Sequence, residues 1–588
     1  MAQNILVAVA WPYANGPFHV GHLAGAYLPA DIFARYQRLK GNRVLMVSGS
    51  DCHGTPITLK AETEGVTPQE VIRRYHRSFL NTFQRLGITF DLFTQTYTPN
   101  HYAVTTDFFL KLLDRGYIYT GKMMGSYSES LRRFLPDRFV EGVCPNCGFD
   151  SARGDQCDNC GKLREPSDLI NPRSKLDGER VTFRETEHFF LDLARIEPEL
   201  TRWLSESDHS HWRPNVLAFT ENWLRDGLHS RAITRDLEWG VPVPVESENF
   251  KDKRIYVWFD AVIGYLSASM ERATRVNAPE IWREWWENPA ARSYYFIGKD
   301  NIPFHSIIWP AMLIGYGGRI LPYDILANEF LNLEGEKMST SRNWALWAHD
   351  IEQRYAPDTL RYYLAANAPE SRDSNWSWKD FVRRNNDELV ANWGNLANRV
   401  LNIAYREFRS VPQPHQFLEP DQELIATAQG SFDSISSHFD AVRLKTALQE
   451  TLALAQQVNR YITKQEPWKL VKTDRARAAT VLYTGLQTVE ILKTLFSPFL
   501  PFSSQTLHET LGFSGILSPL PAIDSVADLD GQERTVLTGN YQSDARWMPH
   551  QMPIGQPLRE PKPLFTKLEA SIAEAEIERL WNERRELS

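Results

Sequence analysis

The strongest indication of fold is the segment Ile5-Leu-Val-Ala-Val-Ala-Trp-Pro-Tyr-Ala-Asn-Gly-Pro-Phe-His-Val-Gly-His22. Residues 5–9 form a short apolar run that is typical of a buried parallel strand. Pro and Gly then exclude a helix as far as His19, after which the apolar spacing predicts one. His19 and His22 are therefore expected where a strand passes into a helix, and free N–H groups at such a junction favour phosphate. Histidines are also common as polar core residues, so their position matters more than the tetrapeptide.

A second segment, Lys337-Met-Ser-Thr-Ser341, lies in a polar stretch without clear periodicity and predicts a mobile loop. A lysine on such a loop can reach the β- and γ-phosphates of ATP. It would then neutralise the charge that develops as pyrophosphate leaves. Taken alone, Lys337 would be interpreted as a solvated surface residue.

Length and composition indicate a globular protein of several domains. The chain has 588 residues, 42% hydrophobic and 23% charged, which exceeds what one hydrophobic core usually holds. No apolar run approaches the ~20 residues that cross a bilayer, and the first Lys or Arg is Arg35, so neither a membrane span nor a signal peptide is expected. A cytoplasmic protein is predicted. The net charge of −8 argues against a generally basic surface but leaves RNA binding open.

Four of the five cysteines form two CxxC pairs, Cys144 with Cys147 and Cys157 with Cys160. Two such pairs can bind one tetrahedral ion, and four protein ligands leave no open position for chemistry. The alternative, two disulfides, fits a cytoplasmic chain poorly. One structural zinc ion is predicted, and the isolated Cys52 is expected to be a buried thiol.

The two motifs together, about 300 residues apart, resemble the HIGH and KMSKS signatures of class I aminoacyl-tRNA synthetases. No G-x-x-x-x-G-K-[ST] loop offers another ATP site. Among these enzymes the chain resembles the methionyl-tRNA synthetase family, through AWPYANGPFHVGH (10–22), GSDCHGT (49–55), FLPDRFVEG (134–142), YVWFDAVIGY (256–265), FIGKDNIPFH (296–305) and Pro467-Trp468. The resemblance implies that the chain activates L-methionine with ATP and magnesium, and then transfers the methionine to the 3′ end of tRNA(Met) for initiation and elongation.

The resemblance also implies the site residues. His19, His22 and Lys337 would be catalytic, and ATP would be bound by Tyr13, His19, His22, Gly298, Asp300, Lys337 and Ser339. Methionine would be bound by Ala10, Tyr13, Asp51, Trp258, Tyr265 and His305. Arg235 matches a family arginine near the active site.

The chemistry of methionine suits these residue types. Aromatic rings contact its polarizable sulfur favourably and exclude branched side chains, although a core role is the alternative for any one of them. Asp51 follows an apolar strand and could bind the substrate ammonium at the carboxyl edge of the sheet, or it could cap a turn. Trp11 is a departure, because many relatives carry Leu there, and Val262 and Asn301 occupy family-variable positions.

The predicted fold is α/β, a Rossmann-like doubly wound catalytic domain split by a zinc-knuckle insertion and followed by an all-α anticodon-binding bundle. The domains are expected at 1–117 and 233–325 (catalytic), 118–232 (insertion), 326–386 (signature loop and stem contact) and 387–588 (helical). Helical periodicity suggests a bundle over roughly 387–560. The insertion is shorter than the editing insertions of the leucyl, isoleucyl and valyl relatives.

The resemblance implies that Asn395, Arg399 and Trp468 read the anticodon. Asn395 and Arg399 lie one turn apart on a predicted helix, and Trp468 could stack on a base or fill the bundle core. A monomer is expected. Two alternatives are a class I synthetase for another apolar amino acid, and a non-catalytic zinc-knuckle RNA-binding protein, which leaves the joint presence of both signatures unexplained. Pyrophosphate exchange across a panel of amino acids distinguishes all three.

Overall fold

A seven-stranded sheet forms the centre of the computed structural model, which describes residues 2–155, 157, 159–160, 162, 164–339 and 343–585. Its first five strands are parallel, and the last two form an antiparallel hairpin. In order across the sheet the strands are Asp324–Asn328, Arg292–Gly298, Asn4–Val9, Arg43–Ser50, Leu92–Gln95, Glu533–Thr538 and Ala522–Ala527.

Apolar side chains alternate between the two faces of this sheet. On strand Asn4–Val9, Val7 and Val9 belong to one buried cluster, while Leu6 and Ala8 belong to another. Helices cover both faces: Leu28–Leu39 and Pro68–Leu86 on the first, and Pro99–Asp114, Val257–Arg275 and Trp309–Tyr316 on the second. A parallel sheet buried on both sides is the doubly wound arrangement, so the predicted fold class is confirmed.

The insertion is built on antiparallel strands. Ile118–Ser128 pairs with Thr182–Leu191 along its length, and Arg133–Phe134 and Arg231–Ala232 lie at the two edges. A smaller sheet of Ala152–Arg153, Val140–Val143 and Ile170–Ser174 carries the cysteine segment. Helices Leu193–Glu206 and Pro214–Asp226 then lead back to the central sheet through the paired strands Thr234–Asp236 and Lys253–Ile255.

Helices dominate the second part of the chain. They are Ala348–Arg354, Pro357–Ala366, Trp378–Arg384, Asn395–Phe408, Glu419–Asp440, Leu444–Gln465, Pro467–Thr473, Arg475–Phe496, Pro501–Thr510 and Ser571–Arg585. Two short strands, Leu331–Leu333 and Ser374–Trp376, pair beside them. No helix in the described part of the chain is long and apolar enough to cross a bilayer.

The predicted helical bundle over 387–560 ends earlier than expected. Its last helix stops at Thr510, and Ala522–Ala527 with Glu533–Thr538 forms a hairpin that joins the central sheet through Leu537 and Phe93. The hairpin turns at Asp530-Gly531, where Gly531 has φ +75°. An Asp-Gly pair between strand-like runs is a hairpin signal, and helical periodicity does not register it.

Within the described residues, three π-helical segments interrupt the helices, at Leu23–Tyr27, Phe304–Ile308 and Asn385–Gly394. Such segments occur frequently at functional sites. The first follows His22, the second contains His305, and the third directly precedes Asn395. The remaining helices are Val20–His22, Thr55–Glu64 and Arg283–Trp286, with 3-10 turns at Asp137–Phe139, Pro166–Asp168 and Lys299–Asn301.

Candidate active site

His19 and His22 lie at the predicted strand-to-helix junction. His19 is the N-cap of the helix, and its Nδ1 accepts a hydrogen bond from Gly21 N–H at 3.1 Å. The Nδ1 of His22 accepts from His19 N–H at 3.2 Å, and the two ring centroids are 3.8 Å apart. Burial and the neighbouring His22 hold the pKa of His19 well below its ordinary value. Because each Nδ1 is an acceptor, each neutral ring carries its proton on Nε2, which is the arrangement that donates to phosphate oxygens.

The segment that follows the second signature motif is joined to the first motif by backbone hydrogen bonds. Val20 N–H donates to Leu346 O at 2.9 Å, and Ala348 N–H donates to Phe18 O at 2.8 Å. Residues 346–348 begin two positions after the end of the segment 336–344, which we term the signature loop. The chain thus brings the loop to the histidines although some 300 residues separate them in sequence.

The described part of the signature loop is a narrow hairpin. Ser339 and Trp344 exchange backbone hydrogen bonds of 2.8 and 2.9 Å. The methyl of Met338 lies 3.6 Å from where a Cβ on Gly21 would stand, and the exposed Lys337 places Nζ 4.5 Å from the centroid of Phe330. Thr340, Ser341 and Arg342, on which part of the mobile-loop prediction falls, lie outside the described residues.

Gly298 and Asp300 lie where the next parallel strand ends. Gly298 is the last residue of its strand, and no atom lies within 4 Å of the position a Cβ would take. Asp300 is exposed in the 3-10 turn that follows. Its neighbour Lys299 is held by Glu329 at 2.6 Å and Asp373 at 3.1 Å, so this lysine is occupied in ion pairs.

Tyr265 and His305 form a buried hydrogen-bonded pair. His305 Nδ1 lies 2.8 Å from the carbonyl of Asn301, to which it donates, so Nε2 accepts from the Tyr265 hydroxyl at 2.7 Å. Burial lowers the pKa of His305 to about 4. The imidazole is therefore neutral at physiological pH, and it holds the phenol in one orientation.

Two other predicted pocket residues, Trp258 and Tyr13, form a line of aromatic contacts that begins at Phe304, next to His305. Trp258 stacks on Phe304 with ring centroids 4.0 Å apart and 5° between planes, and Tyr13 meets Trp258 edge to face at 6.4 Å. Ala10 donates its N–H to Phe296 O at 3.0 Å, and its carbonyl accepts from the Tyr27 hydroxyl at 3.2 Å. Ala10 is therefore fixed to the neighbouring strand of the central sheet.

Asp51 is buried beside the Tyr13 loop. Its N–H donates to Pro12 O at 2.7 Å, and its carbonyl accepts from Ala14 N–H at 3.0 Å. One carboxylate oxygen accepts from His53 N–H at 3.2 Å. Burial, and after it the nearby Asp260, raise the pKa of Asp51 well above its ordinary value. A bound ammonium group would offset that unfavourable charge.

Trp11, the departure from the family pattern, is wedged between two glycines. A Cβ on Gly49 would stand 2.2 Å from Cζ3 of the indole, and one on Gly264 would stand 2.6 Å from its Cε2. The indole meets Tyr265 edge to face at 6.4 Å. Trp11 therefore packs beside Tyr265, one of the residues predicted to bind methionine, whereas Val262 is buried within helix Val257–Arg275.

Sequence reasoning missed the buried network behind Asp51. His53 Nδ1 is 2.6 Å from Asp260, and His101 Nε2 is 3.9 Å from the same oxygen. The guanidinium of Arg138, which pairs with Asp155 at 2.6 Å, lies 5.5 Å from the Tyr13 centroid. The quoted family segments contain His53, Asp260 and Arg138, but no local pattern distinguishes them. Arg235, which the resemblance did mark, contacts Asp137 at 3.3 Å and the ring of Tyr256 at 4.2 Å.

Two cavities are lined by residues of the insertion together with residues of the catalytic half that follows it. The smaller, about 100 Å³, reaches Tyr256, Trp258 and Phe304, and the larger, about 760 Å³, reaches Lys299 and Asp300. Trp223 and Arg231 line both cavities. The guanidinium carbon of Arg231 lies 5.6 Å from the ring centroid of Trp223. An indole and a guanidinium thus stand where the two cavities meet.

The four cysteines predicted to bind zinc come together in the insertion. Their sulfur atoms all lie within 4.8 Å of one another, with Cys144 to Cys160 at 3.8 Å and Cys147 to Cys157 at 3.7 Å. Zinc–sulfur bonds of about 2.3 Å in a tetrahedron require sulfur separations of about 3.8 Å, whereas a disulfide bond is about 2.05 Å long. Arg164 also donates to the Cys144 sulfur at 3.0 Å. The cluster fits a structural zinc ion, and Cys52 is buried as predicted.

Two of the three predicted anticodon residues are in contact. The guanidinium of Arg399 lies 5.5 Å from the Trp468 centroid and donates to Asn459 at 3.1 Å. Asn395 is exposed one turn earlier on the same helix. Trp468 is half-buried at the start of helix Pro467–Thr473, so one part of the indole faces solvent.

Comparison with known proteins agrees with this geometry. Residues 5–401 match the family model "tRNA synthetases class I (M)", and residues 411–585 match "Anticodon binding domain of methionyl tRNA ligase". The methionine–tRNA ligase of Roseiflexus sp. (strain RS-1) is 67% identical over 99% of both chains, and that of Chloroflexus aggregans is 52% identical over 99% of both. The structure of Mycobacterium tuberculosis methionyl-tRNA synthetase bound by methionyl-adenylate is similar with a TM-score of 0.75 and 26% identity, covering 96% of this chain and 100% of that one.

Proposed function

Because the chain belongs to the methionyl-tRNA synthetases, a family of class I aminoacyl-tRNA synthetases, we propose that the site described above activates L-methionine and charges tRNA(Met). The chain is a methionine–tRNA ligase. It first forms methionyl-adenylate and pyrophosphate from methionine and ATP. It then esterifies the methionine to the 3′ end of its tRNA, for both initiation and elongation.

One observation carries the assignment of the site. The backbone bonds from Val20 to Leu346 and from Ala348 to Phe18 attach the segment just after the signature loop to the start of the histidine helix. Lys337 and the two histidines can therefore act on one substrate.

The phosphates of ATP lie between these groups. His19 and His22 donate from Nε2 to the α- and β-phosphates, and the helix that begins at Val20 adds its N–H groups and its dipole. Lys337 and Ser339 approach from the loop and stabilise the departing pyrophosphate. Gly298 admits the adenosine, and Asp300 accepts from the ribose hydroxyls.

Methionine lies in the aromatic pocket. Asp51 binds the ammonium group, while Ala10, Tyr13 and Trp258 surround the side chain. Tyr265 and His305 lie beside the sulfur, and rigid rings favour an unbranched thioether over leucine or isoleucine.

The first step needs no general base, because the methionine carboxylate is itself the nucleophile. It attacks the α-phosphorus, and pyrophosphate leaves from the opposite side. Side chains act by orienting the reactants and by stabilising the negative charge that develops on the phosphate oxygens. Magnesium bound with ATP would supply further charge neutralisation.

The tRNA contacts both ends of the molecule. Asn395, Arg399 and Trp468 bind anticodon bases through their edges and by stacking. The single-stranded 3′ end enters the larger cavity and passes Trp223 and Arg231, since aromatic and basic side chains together suit unpaired nucleotides. The smaller cavity then leads it toward Trp258 and the adenylate.

The domain roles follow this division. We assign 1–117 and 233–325 to catalysis, 118–232 to the insertion with its single structural zinc, 326–386 to the signature loop and stem contact, and 387–588 to anticodon binding. The zinc holds the insertion that contributes Arg138 to the pocket wall. The enzyme is a cytoplasmic monomer, since one chain carries every part of the site and the cytoplasm keeps the four thiols reduced.

Pyrophosphate exchange tests this function. The zinc-loaded full chain is assayed with ATP and, in turn, methionine, leucine, isoleucine and valine. Exchange should depend on methionine, and tRNA(Met) should then be charged. A stronger signal with another amino acid would assign a different synthetase. Absence of exchange with every amino acid would favour the alternative of a non-catalytic RNA-binding protein.

A further inference from the structure

Helix Ser571–Arg585, here called the clasp helix, contacts both arms of the signature loop. Arg584 lies 3.3 Å from Glu336, the residue before Lys337, and the carbonyl of Glu583 accepts a hydrogen bond from the Asn343 side chain at 2.8 Å. We propose that Trp581 and Arg584 are positioning residues that hold the signature loop where Lys337 can reach the phosphates of ATP. This inference rests on the proposed role of Lys337.

The contact is centred on Trp344. Its ring lies 5.1 Å from that of Trp581 and 4.8 Å from the Arg584 guanidinium, which is also 5.2 Å from Trp581. Trp344 is buried and donates from Nε1 to Leu333 O at 3.3 Å. Because its backbone pairs with Ser339, two residues beyond Lys337, the ring fixes the base of the loop.

The first half of the clasp helix is anchored independently. The buried Glu576 accepts from Arg354 at 2.9 and 3.1 Å and from the Tyr355 hydroxyl at 2.7 Å. Arg354 ends the helix that begins at Ala348, and Ala348 is bonded to Phe18 beside His19. The clasp helix and the catalytic histidines are therefore attached to the same element, which fixes the loop relative to them.

Trp581 and Arg584 are partly exposed, so replacing them should affect the position of the signature loop without unfolding the chain. The Trp581 side chain is 41% exposed, and the ion pair of Arg584 with Glu336 is partly exposed, so their removal opens no core cavity. An exposed ion pair alone contributes little to stability. The guanidinium and the two indoles instead contact one another as a triangle, which restricts where Trp344 can lie.

The test compares the double variant Trp581→Ala/Arg584→Ala with wild type and with Glu578→Ala, an exposed position on the same helix. Because loss of aromatic and cation–π contacts loosens the loop, kcat for methionine-dependent pyrophosphate exchange should fall about tenfold. The KM for methionine and the melting temperature should stay at wild-type values. Trp581→Phe/Arg584→Lys should retain most activity.

A second readout does not depend on activity. Trypsin should cleave after Lys337 faster in the alanine double variant than in wild type or Glu578→Ala. Arg584→Glu places a second negative charge beside Glu336, so it should also speed cleavage after Lys337. Adding Glu336→Lys to that variant should restore the slower, wild-type cleavage. Unchanged kcat with unchanged cleavage would overturn the proposal, as would an equal loss in Glu578→Ala. Lack of methionine-dependent exchange in wild type would instead refute the proposed function, and cleavage would still test the clasp.

Discussion

Replacing Gly264 by alanine should disturb the methionine pocket through Trp11. The new Cβ would stand 2.6 Å from the indole, and ordinary contact begins at 3.4 Å, so the ring must move by about 0.8 Å. Its movement is restricted, because Gly49 already lies against Cζ3 and Cη2 of the same indole, where a Cβ would be only 2.2 Å away. The strain must therefore pass into the neighbouring pocket wall, where Tyr265 contacts Trp11.

The magnitude follows from overpacking. Inserting a methyl group into a packed region costs about 1–3 kcal/mol. If about 1.4 kcal/mol of this opposes methionine binding, the KM for methionine in pyrophosphate exchange rises about tenfold. The same substitution at Gly430, a helical position with no atom within 4 Å of its Cβ, should leave KM unchanged.

A double-mutant cycle tests whether the effect of Gly264→Ala arises from its contact with the Trp11 ring. Trp11→Leu removes the ring that the methyl group strikes, so Gly264→Ala should cost little in that background. The two free-energy changes should therefore be strongly non-additive, by about 1 kcal/mol or more. Additive effects, or an unchanged KM in the single variant, would refute the account of Trp11 as a wedged pocket wall.

Four further predictions concern the phosphates, the zinc, the pocket histidine and the anticodon. Lys337→Ala should lower kcat for pyrophosphate exchange by about 10²–10³-fold with the KM for methionine unchanged, because its charge acts on the leaving group; an unaltered kcat would contradict that role. Cys147→Ser should reduce zinc, measured by elemental mass spectrometry, from about one ion per chain to a small fraction, since a tetrahedral thiolate site needs all four sulfurs; a fully loaded variant would rule out this ligand set. Burial lowers the pKa of His305 to about 4 from an ordinary 6.5, so its stabilising contribution is complete above pH 6.5 and is lost as the pH falls toward 4. His305→Gln should accordingly flatten the fall in melting temperature across that range, and a profile parallel to wild type would be the opposite result. Trp468→Ala should leave exchange intact but raise the KM for tRNA(Met) roughly tenfold, from the loss of about 1–3 kcal/mol of base stacking; equal loss of both activities would place the residue in the core.

Local sequence predicted those features that depend on neighbouring residues. The apolar run before residue 10 and the Pro and Gly residues after it predict the junction at His19, where the helix does begin. The spacing of Cys144, Cys147 and the second pair predicts the cluster, because short loops bring such pairs together. These inferences need no knowledge of distant contacts.

The features that were missed depend on contacts between distant segments. His53 and Asp260 are in contact although 207 positions separate them in sequence, and no local sequence pattern around either residue predicts the contact. Residues 522–538 join the sheet as a hairpin because an open edge beside strand Leu92–Gln95 accepts them, which helical periodicity elsewhere in the domain cannot indicate. The contact of Trp581 with Trp344 likewise exists only after the chain returns to the signature loop.

The most direct test of the central claim is a crystal structure of the full chain bound to methionyl-adenylate. The account predicts that the ammonium group lies about 3 Å from a carboxylate oxygen of Asp51. The thioether should lie beside Tyr265 and His305, with the phosphate facing His19 and His22. An ammonium group bound away from Asp51, or a thioether outside the Tyr265–His305 wall, would contradict the assignment of this site.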